Sequence, residues 1–176
     1  MYYLCTIHLV TNNKNRILFS MKSRPDIFEI KESGTLGKGV FATKLIKKGD
    51  QILQFTGPVI SFEQTQLKSP ETRSHPLQIT KNTYIDLEAP GVFVNHSCSP
   101  NAKIYKDTFL VALKNIHVGE EIFYDYSTTM MDDDDWKLMC ECKNKNCRKI
   151  VGDFRQMPPS IQKKYIKADL VQSFIK

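Results

Sequence analysis

Three cysteines fall within eight residues in "CECKNKNC": Cys140, Cys142 and Cys147. No other stretch constrains this chain's fold so strongly. The loop around them is rich in Lys and Asn and has almost nothing apolar to bury, so core packing does not explain it. On an extended backbone, side chains two apart point to opposite faces. Cys140 and Cys142 therefore converge only if the chain turns between them, and a tetrahedral zinc site can hold such a turn. A structural zinc takes four ligands, so the fourth must come from elsewhere: Cys5, Cys98 or a histidine. The cysteine total is odd, five, and the start "MYYLCTIHLV" has no basic n-region or small-residue cleavage site. Both facts argue against a disulfide framework and for an intracellular, soluble protein, cytoplasmic or nuclear.

A length of 176 residues suits one domain with at most a short appendage. No apolar run approaches the roughly 18 residues that a membrane span needs. The net charge of +6 favours anionic partners in general. No RNA-reading signature or basic-aromatic repeat accompanies it, so no nucleic-acid interface is indicated. One run opposes the trend: "MMDDDDW" carries four consecutive acids, Asp132 to Asp135. These repel one another unless something basic approaches, although a solvated loop is the plainer reading.

The pattern along the chain predicts many short strands. "YYLCTIHLV", "RILFSM", "DIFEIKE", "NTYIDLE", "TFLVAL" and "EEIFYDYS" alternate or run apolar. "DQILQFTGPVI" reads as a strand broken at Gly57-Pro58, and Lys106-Asp107 as the turn of a hairpin. Ser61 followed by Gln64 has the capping-box spacing of a short helix. In the tail, Ile161, Tyr165, Ile166, Leu170, Val171, Phe174 and Ile175 repeat at helical spacing after two prolines, with Ser160 as the expected cap. That amphipathic helix must dock on a surface, by default its own domain.

Three polar stretches invite chemistry. "VNHSCSPNA" sets Asn95, His96 and Cys98 close together, as nucleophile and base, as metal ligands, or as a turn that satisfies its own backbone. "TLGKGVF" places Gly37 and Gly39 where a β-turn or a close backbone approach to a ligand would need them. It lacks the Gly-Lys-Ser/Thr ending of a phosphate loop. "GEEIFYDYS" puts Tyr124 and Tyr126 on one side of a strand and Asp125 on the other.

In this order, "GKGVFA", "VNHSCSPNA", "GEEIFYDYS" and "CECKNKNC" resemble the SET-domain family of protein lysine methyltransferases with a post-SET zinc loop. The resemblance covers roughly residues 27 to 152. It implies a mainly β (α+β) fold of short sheets, in which the "NHSC" and "YDY" stretches meet as a pseudoknot. The implied division is an N-terminal β extension (1–26), the SET domain (27–129), an acidic linker and zinc loop (130–153), and a C-terminal helix (154–176).

The same resemblance implies a cofactor, S-adenosylmethionine, held by Leu36, Lys38, Gly39, Val40, Asn95 and His96. Tyr126 matches the catalytic tyrosine and also borders the cofactor. Tyr124 matches the position that governs how many methyl groups are added, and its hydroxyl implies mainly monomethylation. Cys98 becomes the fourth ligand of one structural zinc, with Cys140, Cys142 and Cys147. Two positions depart from the pattern. Val92 stands where an arginine is common, and His75 in "RSHPLQI" stands where many relatives carry a tyrosine that meets the cofactor, so His75 is the implied replacement for that contact. The implied partner is a basic, lysine-containing protein or peptide such as a histone tail, drawn in by Asp132 to Asp135. The competing readings are a zinc-containing binding module without turnover and, less well supported, a cysteine hydrolase using Cys98 and His96.

Overall fold

The computed structural model describes residues 26–131 and 136–176. The strands expected within residues 2–21, Cys5 and the Asp132 to Asp135 run lie outside the described residues.

Short strands dominate, as the alternation predicts. β1 (Phe28–Glu32) pairs antiparallel with β2 (Lys38–Ala42). β3 (Gln51–Gln54) and β4 (Val59–Ser61) are separated by the Gly57-Pro58 break. A Cβ on Gly57 would lie 1.9 Å from the Asp86 carbonyl oxygen, and its φ is 151°, so only glycine fits this crossing. α1 (Phe62–Gln66) starts with the predicted capping box: Gln64 N donates to Ser61 Oγ, and Ser61 N donates to Gln64 Oε1.

β5 (Leu77–Thr80) and β6 (Thr83–Ile85) join β4 in a sheet of order β4-β6-β5. β7 (Asn95–His96) precedes the hairpin of β8 (Ala102–Tyr105) and β9 (Phe109–Ala112), which joins β3 in the order β3-β9-β8. Lys106 and Asp107 turn that hairpin with φ of 47° and 63°. β10 (Phe123–Tyr124) pairs parallel with β7, Phe123 opposite Asn95 and Tyr124 opposite His96. This ladder brings together the two stretches whose meeting the resemblance implies. β11 (Leu138–Met139) and β12 (Ile150–Val151) bracket the cysteine loop as an antiparallel pair.

Two apolar clusters hold these pieces. The larger one gathers residues of the main strands and the segments beside them, including Val40, Ile52, Leu53, Phe55, Leu110, Ile116 and Ile122. The smaller one forms around the C-terminal segment, with Phe154, Met157, Tyr165, Val171 and Ile175.

Two local readings differ from the structure. The tail helix, α2, runs only over Pro159–Lys167. Pro159 occupies its first position, where a fixed φ suits the helix and the missing N–H costs nothing, so Ser160 falls inside the helix and does not cap it. Asp169 then turns the chain at φ 54°. Lys103 Nζ grips the Asp169 carbonyl at 2.8 Å, and Ser173 Oγ donates to Asp107 at 2.9 Å. Leu170, Val171, Phe174 and Ile175 reach the small cluster from a turn and a 3-10 helix, so their spacing reports a shared core and not one continuous helix. The strand expected over "EEIFYDYS" shrinks to Phe123–Tyr124, because Tyr126 opens a 3-10 turn, Tyr126–Thr129, that Asp125 caps. No helix among the described residues is long and apolar enough to cross a membrane.

Candidate active site and cysteine centre

A cavity of about 610 Å³ opens where β7, β10, the Gly34–Leu36 turn and the cysteine loop meet. Leu36, Lys38, His75, Asn95, His96, Tyr124 and Tyr126 all line it, although they come from four separate parts of the chain. Cys140 and Cys142 close one side. Gly39 and Val40 are not among the lining residues. Val40 is fully buried in the main core. Gly39 answers to a different neighbour, since a Cβ there would sit 2.2 Å from Glu121 Oε1.

Glu121 organises this wall, and the sequence reading missed it. It accepts from Asn95 Nδ2 at 2.8 Å and from Ser33 Oγ at 2.6 Å. Asn95 Nδ2 also donates to the Lys38 carbonyl at 3.0 Å. Both hydrogens of the amide nitrogen are thus spent inside the protein, which leaves Asn95 Oδ1 for a ligand.

The two tyrosines meet despite the broken strand. Their ring centroids lie 4.8 Å apart, and Trp136 approaches Tyr126 at 6.5 Å. The Tyr126 hydroxyl donates to the Val94 carbonyl at 2.9 Å. Burial pushes the Tyr124 phenol well above its ordinary value, helped by the neighbouring Tyr126 and Asp125. Burial, with the Glu121 charge, likewise pushes Tyr126 up. Neither phenol releases its proton near neutral pH, so each acts as a hydroxyl and not as a base.

His96 stands between this site and the cysteines. Its Nδ1 accepts from Tyr126 N at 3.2 Å, and its Nε2 lies 3.4 Å from Cys98 Sγ. Burial brings the imidazole down to about 4, against the pull of Asp125. A neutral ring with Nδ1 as acceptor carries its hydrogen on Nε2, facing the sulfur.

The ligand atoms of Cys98, Cys140, Cys142 and Cys147 all lie within 4.8 Å of one another. Cys98 Sγ and Cys140 Sγ are 3.7 Å apart, too far for a disulfide. Four sulfurs at about 2.3 Å from a central ion would be spaced by about 3.8 Å in a tetrahedron, so the donor set suits zinc. Cys98 is thereby the residue that completes the cluster, among the candidates within the described residues.

Behind the tyrosines lies a buried ion pair that sequence reasoning also missed. Asp125 is 1% exposed. Arg148 Nη1 and Nη2 donate to its two oxygens at 2.6 Å each, and Tyr165 of α2 donates to Oδ2 at 3.1 Å. The position of Arg148, directly after the last clustered cysteine, was the available signal. Arg148 is thus a cation placed directly beside the cysteine cluster.

A second cavity of about 480 Å³ adjoins the first, sharing Trp136, Met130 and Pro76, and is walled by Phe62 and Tyr84.

A family described as "SET domain" matches residues 37–127. Over 139 residues the chain is 32% identical to the variant-silencing SET domain-containing protein of Plasmodium falciparum, covering 68% of this chain and 5% of that one. Over 151 residues it is 31% identical to the histone-lysine N-methyltransferase set1 of Dictyostelium discoideum, covering 77% and 10%. The chain thus spans a tenth or less of the length of these curated relatives. Among solved structures, the methyltransferase domain of human histone-lysine N-methyltransferase SETMAR superposes with a TM-score of 0.59 at 23% identity, over 72% of this chain and 58% of that one. This last likeness speaks for the fold alone.

Proposed function

The chain belongs to the SET-domain family, and on that premise we propose that it transfers a methyl group from S-adenosylmethionine to the ε-amine of a lysine in a basic protein. A histone tail is the first candidate substrate, since relatives are named for histone lysines. The observation that carries this reading is the convergence of Tyr124, Tyr126, Asn95, His96 and His75 on one cavity of about 610 Å³, within the range of small-molecule sites.

Leu36, Lys38, His75, Asn95 and His96 would hold S-adenosylmethionine, which supplies an electrophilic methyl group when bound. Cys98, Cys140, Cys142 and Cys147 would hold one Zn²⁺ as a structural ion. The rest of the mechanism follows from this chain's own groups. A lysine attacks only as the free amine, and an apolar, desolvated channel favours that form. Both phenols keep their protons near neutral pH, so the amine's proton leaves to water and not to a tyrosine. The Tyr126 hydroxyl and the Val94 carbonyl, 2.9 Å apart, place two oxygens beside the transfer site. CH···O contacts to a methyl group are worth roughly 0.5–1 kcal/mol each. The larger gain is alignment of amine, methyl and sulfur. The Tyr124 hydroxyl, on the ring tilted against Tyr126, crowds an amine that already carries a methyl, which favours monomethylation. The adjoining cavity walled by Phe62 and Tyr84 would take the substrate chain, which adds to the edge of the β4-β6-β5 sheet.

The test is incubation with labelled S-adenosylmethionine and a panel of histones and other basic proteins, followed by mass-spectrometric site mapping. Label on a specific lysine, lost in Tyr126→Phe by about 10²-fold, is the expected result. Tight binding of the cofactor with no labelled protein would instead favour a binding module.

A further inference from the structure

The capping residue of the Tyr126 turn is tied to the cysteine cluster by one side chain. Asp125 Oδ1 accepts from Ser127 N at 3.2 Å, and the Asp125 carbonyl accepts from Thr128 N at 3.0 Å and Thr128 Oγ1 at 2.6 Å. The turn that presents Tyr126 therefore follows Asp125. Arg148 is fixed at its other end by the cluster. Its own N–H donates to Cys98 Sγ at 3.4 Å, and Cys140 N donates to the carbonyl of the next residue, Lys149, at 2.7 Å. From there the guanidinium spans to both Asp125 oxygens and to Ser127 Oγ at 3.2 Å. Tyr165 completes the enclosure from α2.

We propose that Arg148 is a positioning residue that reports the state of the cysteine cluster to Tyr126 through Asp125. With an ion in the cluster, the loop is fixed and the guanidinium meets the carboxylate in its two-pronged geometry. Without the ion, the loop loosens and Asp125 is left as a buried carboxylate lacking its counter-charge. Such a group is strongly unfavourable, so the turn that carries Tyr126 must rearrange. A lysine cannot substitute, because it offers a point charge in place of a planar fork. His96 forms a second link, touching Cys98 with one nitrogen and Tyr126 N with the other. Arg148 acts beside it and on the carboxylate, which His96 does not neutralise.

The kinetic arm of the test rests on the methyl-transfer reading, and the spectroscopic arm does not. Arg148→Gln, Arg148→Lys and the neutral pair Asp125→Asn/Arg148→Gln are compared with the wild-type chain, all loaded with zinc. Zinc per chain is measured by colorimetric chelation. Tyrosine-ring ¹³C resonances are recorded before and after metal removal. Arg148→Gln is expected to retain zinc and to keep the cofactor KM within about threefold while kcat falls on the order of 10²-fold. Arg148→Lys should recover little of that loss, and the neutral pair should recover more. In the wild type, removing zinc should move the Tyr126 resonance. In Arg148→Gln, and equally in the neutral pair should the single variant fail to fold, most of that movement should be gone.

A zinc-loaded Arg148→Gln with kcat within about twofold of wild type would overturn the proposal. So would a Tyr126 resonance that responds to chelation equally in the wild type and the neutral pair. A wild-type chain that labels no protein defeats the methyl-transfer reading and leaves the resonance measurements to decide on Arg148.

Discussion

The cavity has two sides held by unlike forces. On one side, Val94 and Leu77 line it and are 2% and 3% exposed, continuous with the main apolar core. On the other, Cys140 and Cys142 line it, and their loop is fixed by four thiols and by the Arg148–Asp125 pair. Apolar packing is non-directional and tolerates a changed shape at moderate cost. Metal ligation and two-pronged ion pairing are directional, and losing one member undoes the arrangement. Two properties that a single-domain chain usually mixes are thereby held apart. Persistence of the fold resides in the first side, and completeness of the site in the second.

Stripping the cysteine cluster of any bound metal should part the two sides most clearly. A strong chelator should abolish methyl transfer while far-ultraviolet circular dichroism keeps the strand signature of the main core. Loss of both together would show that the two sides are not separable. The opposite lesion comes next. Leu110 is fully buried in the main core, so Leu110→Ala should lower unfolding free energy by about 2–5 kcal/mol in denaturant titration. Its zinc content and the KM of the surviving folded fraction should stay unchanged. A subtler change falls between the sides, at Tyr124. Tyr124→Phe removes one hydroxyl and should shift products from monomethyl- towards di- and trimethyl-lysine by mass spectrometry, with unfolding free energy altered by about 1 kcal/mol. Trimethyl-lysine as the main wild-type product would contradict the role given to that hydroxyl. The smallest effect belongs to Lys103→Ala, which unties the Asp169 turn from the hairpin. Asp169 is more than half exposed, so the ion pair is worth about 0–1 kcal/mol and should fade with added salt.

What the sequence disclosed and what it hid divide by distance along the chain. The Ser61–Gln64 capping box and the Lys106-Asp107 turn were legible because each is decided within about four residues. The cysteine cluster was legible because its spacing has no use in packing, and Cys98 came to it through the resemblance. The Asp125–Arg148 pair spans 23 residues, Asp125–Tyr165 spans 40 and Asn95–Glu121 spans 26, and no local pattern announces any of them. Period-two reasoning placed Tyr124 and Tyr126 together correctly, but it could not see that the strand stops between them. The missing Cβ of Gly39 makes room for the Glu121 carboxylate, a neighbour 82 positions away that spacing cannot reveal. The tail's period reported a shared core, whereas the helix ends at Lys167 and the chain turns at Asp169, whose carbonyl Lys103 holds from the hairpin.

The imidazole of His96 sets a limit on anyone who would redesign this molecule. One nitrogen belongs to the tyrosine turn and the other to a cysteine sulfur, so the ring cannot be adjusted for one task without disturbing the other. An engineer seeking an altered cofactor should leave that partition alone and work from Leu36 and Met139, which line the same cavity, are 40% and 72% exposed, and stand outside the buried core.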